Sequence, residues 1–149
     1  TAKCTVLNFK ELNISFIFAN IIIMKKIIST SDAPAAIGPY SQANFANGIL
    51  YISGQIPLNP QTGKLEEGIE KETHQVMKNL EAILKEAGMT FKNVVKATIF
   101  LKNMDDFAVM NDIYASYLDP ESFPARETVQ VSCLPKNVDI EISMIAHQF

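Results

Sequence analysis

Two residues have both the type and the setting for chemistry: Arg126 and Glu141. Arg126 opens "RETVQVSC", where Thr128, Gln130 and Ser132 alternate with Val129, Val131 and Cys133. A period of two marks a strand with two unlike faces, with Arg126 and Thr128 on the polar one. Glu141 sits in "VDIEISMIA", where Val138, Ile140, Ile142, Met144 and Ala146 form one face. Asp139, Glu141, Ser143 and Ile145 form the other. The short "LPKN" between these runs predicts an antiparallel pair, with Arg126 opposite residues near 144 and Glu141 a diagonal step away on the same face. A guanidinium is a permanently charged fork of donors suited to a carboxylate, and a carboxylate beside water can take its proton. A structural salt bridge explains the same pair equally well.

Other polar residues are weaker candidates. Asn111 falls between Phe107 and Tyr114 on the expected buried stripe of a helix, where an amide needs partners and usually finds backbone groups. Tyr40 follows a Gly-Pro corner, which fixes its direction or merely packs it. Ser53 faces the same way as Tyr51 and precedes Gly54, which permits close backbone approach. His74 and His147 are too few and too separated for a metal site and read as surface residues. Cys133 reads as a buried structural thiol on the apolar face of its strand. Phosphate loops, HExxH and CxxC are missing from the sequence.

These residues must be carried by a small set of elements. Strands are predicted at 25–28, 48–55, 93–103, 126–133 and 138–146, with a loop over 33–43. Helices are predicted at 69–87, ended by Gly88, and at 105–118, capped by Asp105. Both helices fall in crossovers and belong on one side of a mixed sheet. Strand 93–101 is apolar on both faces, with Val94, Thr98 and Phe100 on one and Val95, Ala97, Ile99 and Leu101 on the other. The side without helices therefore needs a cover, and another copy of the chain is the simplest one.

The 149 residues suit one domain, and a composition of 48% hydrophobic and 19% charged residues is that of a globular chain. A net charge of −3 argues against a binder that works by neutralising phosphates, so no nucleic-acid partner is expected. Cys4 and Cys133 lie too far apart for a metal or redox motif, which fits a reducing compartment such as the cytoplasm. Residues 1–23 read as a leader foreign to the rest, non-native or read through, with a targeting segment as the alternative. Its apolar run "ISFIFANIII" is too short to span a bilayer, and no membrane partner is expected.

"APAAIGPYSQA", "YISGQIPLNPQTG", "NVVKATIFLKNMDDFAVMNDIY", "FPARETVQV" and "LPKNVDIEISMIA" stand in the order and spacing of one family. Across residues 24–149 the chain resembles the Rid (YjgF/YER057c/UK114) family. The resemblance implies an α+β, chorismate-mutase-like fold: a mixed six-stranded sheet with two helices on one face, in a homotrimer with clefts between subunits. It also implies hydrolysis of 2-enamine and 2-imino acids, such as 2-aminoacrylate, without a metal or organic cofactor. Arg126 matches the family's substrate-binding arginine, and Glu141 its water-directing acid. Tyr40, Ser53 and Asn111 match pocket positions, and the Gly54 amide and the backbone at Thr128 would bind polar ends of the substrate. Many family members carry cysteine where this chain has Thr128, a departure at a position that bears on which imino acid is preferred. A non-catalytic regulatory trimer that binds small carboxylates, and an endoribonuclease or translation inhibitor, are the alternatives.

Overall fold

The computed structural model describes residues 25–149; the leader reading falls outside them. Six strands and two main helices follow the chain as β1 (Lys26–Ile28), β2 (Ala43–Ala46), β3 (Ile49–Gln55), α1 (Ile69–Glu86), β4 (Val94–Leu101), α2 (Phe107–Ser116), β5 (Ala125–Gln130) and β6 (Ile140–His147). They form one mixed sheet in the order β1-β2-β3-β6-β4-β5, with β4 and β5 parallel and every other neighbouring pair antiparallel.

β2 was not among the predicted strands. It is the first arm of a hairpin closed by Asn47 and Gly48, whose φ angles of 52° and 78° make a two-residue turn of the twist that hairpins favour. The predicted antiparallel pairing of 126–133 with 138–146 is also corrected. β5 pairs parallel with β4 over Lys96–Leu101 and Ala125–Gln130, and β6 lies on the other side of β4. The "LPKN" segment is no hairpin turn: Pro135–Asn137 form a 3-10 turn in which Lys136 and Asn137 take left-handed φ of 57° and 59°.

The core lies between the sheet and the helices. Leu50, Ile99, Leu101, Ile140, Ile142 and Met144 from the sheet meet Val76, Met77, Leu80, Ile83 and Leu84 of α1, all but fully buried. Truncating one of these to alanine costs about 2–5 kcal/mol through lost burial and the cavity left behind. α1 ends as expected: Gly88, at φ 73°, donates to Lys85 O, and Met89 donates to Leu84 O. Before α2 the capping side chain is Asn103, which accepts from Asp105 N, rather than Asp105.

The far side of the sheet is open. A bulge between Val94 and Lys96 breaks strict alternation, so Val94 is buried and Val95 is exposed, the reverse of the predicted faces. Val95, Val129 and Tyr51 stand 41%, 42% and 47% exposed there. Lys96 and Thr98 both bond Glu127 across β4 and β5.

Candidate active site

Arg126 and Glu141 lie on opposite faces of the sheet. Arg126 pairs with Ala97, which is fully buried on the helix side, whereas Glu141 pairs with Phe100. Ala97 and Phe100 are three apart on β4, so their side chains and those of their partners point to opposite sides. The expectation that the two share a face is overturned, and the structural salt bridge falls with it. A pairing of β5 with β4, through the α2 crossover, separates what a β5–β6 hairpin would have joined.

Each residue stands in its own hollow. Arg126 lines one of about 360 Å³ with Asn111, Tyr114, Ala115, Phe123 and Pro124. α2 supplies three of its neighbours at i, i+4 and i+7. Arg126 Nη1 donates to Asn111 Oδ1 at 2.9 Å, and its Cζ lies 5.6 Å from the Phe107 ring centre and 5.1 Å from that of Tyr114. Asn111 is thus held by a side chain rather than by the expected backbone groups. Phe107, expected in the buried stripe, is 37% exposed. Burial pushes the Tyr114 phenol up to about 12, against the opposing pull of Arg126. Among the described residues, neither the Tyr114 hydroxyl nor Thr128 Oγ1 has a hydrogen-bond partner, although both are buried.

Glu141 lines the second hollow, of about 370 Å³, with Ile37, Tyr40, Ser53, Gly54, Ile56, Pro135 and Lys136. A Cβ on Gly54 would fall on Glu141 Oε1 and stand 2.7 Å from its Cδ, so the glycine is needed for close approach rather than for its φ. Burial raises the Glu141 carboxyl above its ordinary value, with no neighbouring charge or hydrogen bond to lower it. The loop bearing Tyr40 is tied down by Gln42, whose side chain accepts from Thr30 N and donates to the carbonyls of Thr30, Ala33 and Pro34. Ser53 Oγ donates to Ser41 O at 2.7 Å on the same loop. Asn79, fully buried in α1, donates to Ile56 O and Leu58 O and fixes the segment after β3.

Tyr40, Ser53, Gly54 and Glu141 are therefore brought together, as are Asn111 and Arg126, with Thr128 next along the same face. The two groups are not joined within one chain. Phe107 and Tyr114 as neighbours of the guanidinium were missed, although their spacing around Asn111 was the signal. Lys136 was missed because its left-handed backbone has no marker in a non-glycine residue. His74 is half-buried, 2.9 Å from the Tyr117 hydroxyl, and Cys133 is exposed beyond the end of β5, against the surface and buried readings. Among the described residues, a larger groove runs along the outer side of α1 and contains none of the predicted site residues. Among the described residues there is no cluster of three His, Cys, Asp or Glu able to hold a metal, and no helix long and apolar enough to cross a membrane.

A family model described as Endoribonuclease L-PSP matches residues 30–148. A Lactococcus lactis subsp. lactis protein named "Putative regulator AldR" is 59% identical over 122 residues, 81% of this chain and 96% of that protein. The 2-iminobutanoate/2-iminopropanoate deaminase of Bos taurus is 49% identical over 127 residues, 85% of this chain and 92% of the enzyme. A Yersinia pestis crystal structure, YyfA, titled as a protein of unknown function of the conserved Rid protein family, superposes with a TM-score of 0.81 at 55% identity. It covers 83% of this chain and 99% of its own.

The chain belongs to the Rid family. The six-stranded mixed sheet with two helices is the fold expected from the resemblance. Rid relatives carry the names of a deaminase, a regulator and an endoribonuclease, so family membership alone does not select a chemistry.

Proposed function

We propose that the chain hydrolyses reactive 2-enamine and 2-imino acids, such as 2-aminoacrylate, to 2-keto acids and ammonia. It would act as a homotrimer in which the Arg126 hollow of one subunit faces the Glu141 hollow of the next. One observation carries this reading: the guanidinium and the acid occupy separate hollows on opposite sheet faces, the first lined by no carboxylate and the second by no arginine. Among the described residues neither Arg126 nor Glu141 forms an ion pair, although Lys136 lines the Glu141 hollow. Two unlike patches that meet make a heterologous contact, which closes as a ring of three when each copy is rotated by a third of a turn from the last. The apolar open face supplies surface for such a contact.

The chemistry follows from the groups. Arg126 binds the substrate carboxylate through donors left free by Asn111. An enamine takes a proton on C3 and gives one up from its nitrogen to become the imine. Glu141 removes a proton from water as its oxygen bonds to C2, and the C=N electron pair moves to nitrogen, which is protonated. The nitrogen of this carbinolamine takes a second proton, the C–N bond breaks with its electron pair leaving on ammonia, and the hydroxyl gives up its proton to become the keto oxygen, replacing the proton that the nitrogen took. One water is consumed, and there is no net oxidation. Burial of Glu141 raises its proton affinity toward working pH, which suits a group that both accepts and returns a proton. Tyr40, Ser53 and Asn111 line the cleft, with the Gly54 amide and the Thr128 backbone bonding polar ends of the substrate.

The test is purified chain added to 2-aminoacrylate released in the cuvette by a serine-dehydrating enzyme, with keto acid and ammonia followed. Faster release of both is expected, and an Arg126→Ala variant as fast as the parent would remove the proposed role of the arginine. The name of the 59% identical relative favours a second reading, a regulatory binder of small carboxylates. Saturable binding of a keto acid without any turnover of imine would select it.

A further inference from the structure

Three side chains of α2 converge on one guanidinium. Phe107, Asn111 and Tyr114 follow the helix at i, i+4 and i+7, which places them on one face. That face carries two rings with an amide between them, and all three meet Arg126. Phe107 begins the helix and is 37% exposed, so its ring is not needed to fill the core. Tyr114 is buried with its hydroxyl unpartnered among the described residues, so it is the ring rather than the hydroxyl that has a neighbour. Ring faces carry negative potential and attract a cation near them, most strongly where water is partly excluded. An arginine side chain otherwise has several rotatable bonds whose freedom it loses when it grips an anion.

We propose that Phe107 and Tyr114 are positioning residues, whose ring faces, together with the Asn111 amide, hold the Arg126 fork ready for a carboxylate. The proposal rests on the reading of Arg126 as the carboxylate-binding residue. Asn111 occupies Nη1 and fixes rotation about the guanidinium, while the rings restrict its tilt. The remaining N–H groups then meet the carboxylate without a search through rotamers, so the clamp acts on binding and leaves the proton transfers at Glu141 unaffected.

Phe107 gives the cleaner test because its exposure spares the core. Calorimetric titration with 2-oxobutanoate is combined with turnover at saturating imine for the parent, Phe107→Leu, Phe107→Tyr and Arg126→Ala. Phe107→Leu is expected to weaken binding about three- to tenfold. Its turnover at saturation should stay within about twofold of the parent, and its melting temperature should be unchanged. Phe107→Tyr is expected to recover the lost affinity. Parent-like binding by Phe107→Leu, while Arg126→Ala binds weakly, overturns the clamp and leaves the arginine's role standing. Parent-like binding by Arg126→Ala shows that the carboxylate is held elsewhere, which removes the underlying reading and the clamp with it.

Discussion

Glu141 lies so close over Gly54 that a side chain there would collide with its carboxylate. A Cβ would stand 2.7 Å from Glu141 Cδ and 3.0 Å from its Cγ. Gly54 has no left-handed φ, so alanine meets no backbone strain, and the obstacle is the far end of one flexible side chain. Gly54→Ala is therefore expected to fold nearly as stably as the parent, with the carboxylate pushed aside. A displacement of about 1 Å at a reacting group costs about 100-fold in rate. Thermal melts and imine turnover of the same preparation check this. Full activity with an alanine at 54 would contradict the proposed role of Glu141.

Glu141→Gln separates function from stability. Activity should fall by about 10²- to 10⁴-fold, the usual worth of a positioned acid–base group. Its proton affinity is raised in the folded chain above the ordinary 4.5, because burial penalises the charged form. Folding stability from this group is thus greatest below that ordinary value and is lost as pH rises through the folded value. At neutral pH the charged carboxylate is a burden that glutamine lacks. Measured on separated single chains, where no neighbour's Arg126 faces the carboxylate, Glu141→Gln should melt higher than the parent near neutrality, with the gap closing as the solution is acidified. The acid limb of the parent's rate profile should lie above the ordinary glutamate range and be lost in the variant. Melts and rates across that range decide it; identical pH dependence in both chains would contradict it.

Much of the fold was legible in the sequence, and the failures share a physical cause. Alternation in β6 was read correctly, because one face of that strand packs on α1 and a slip of one residue would expose it. α1 was legible from its stripe and Gly88. β2 was overlooked even though Asn47-Gly48 is a strong hairpin signal. The two site residues were placed correctly on their own strands but wrongly relative to each other. Alternation gives the faces of one strand; which strand lies beside it depends on the α2 crossover, a contact distant in sequence. Cys133 was misplaced for a similar reason, since β5 ends at Gln130 and the alternation continues past it.

The open sheet face should be an interface. Val129, 42% exposed on β5, lies on it with Val95 and Tyr51. Val129→Asp would bury a charge at a subunit contact, which costs several kcal/mol. Light scattering after gel filtration is expected to show a trimer for the parent and a monomer for the variant, with the imine activity lost and the fold retained by circular dichroism. A variant of unchanged mass and rate would place the contact on another surface.

The central claim, that one subunit's Arg126 works with a neighbour's Glu141, has a direct test in mixed trimers. Arg126→Ala and Glu141→Gln chains, each nearly inactive alone, are unfolded together in equal amounts and refolded. A cleft is intact when its arginine comes from the second variant and its glutamate from the first, which random assembly gives in about one cleft in four. Activity of about a quarter of the parent's is the expected result. Activity no greater than that of the two variants refolded apart would mean that both groups must come from one chain, and the account would be wrong.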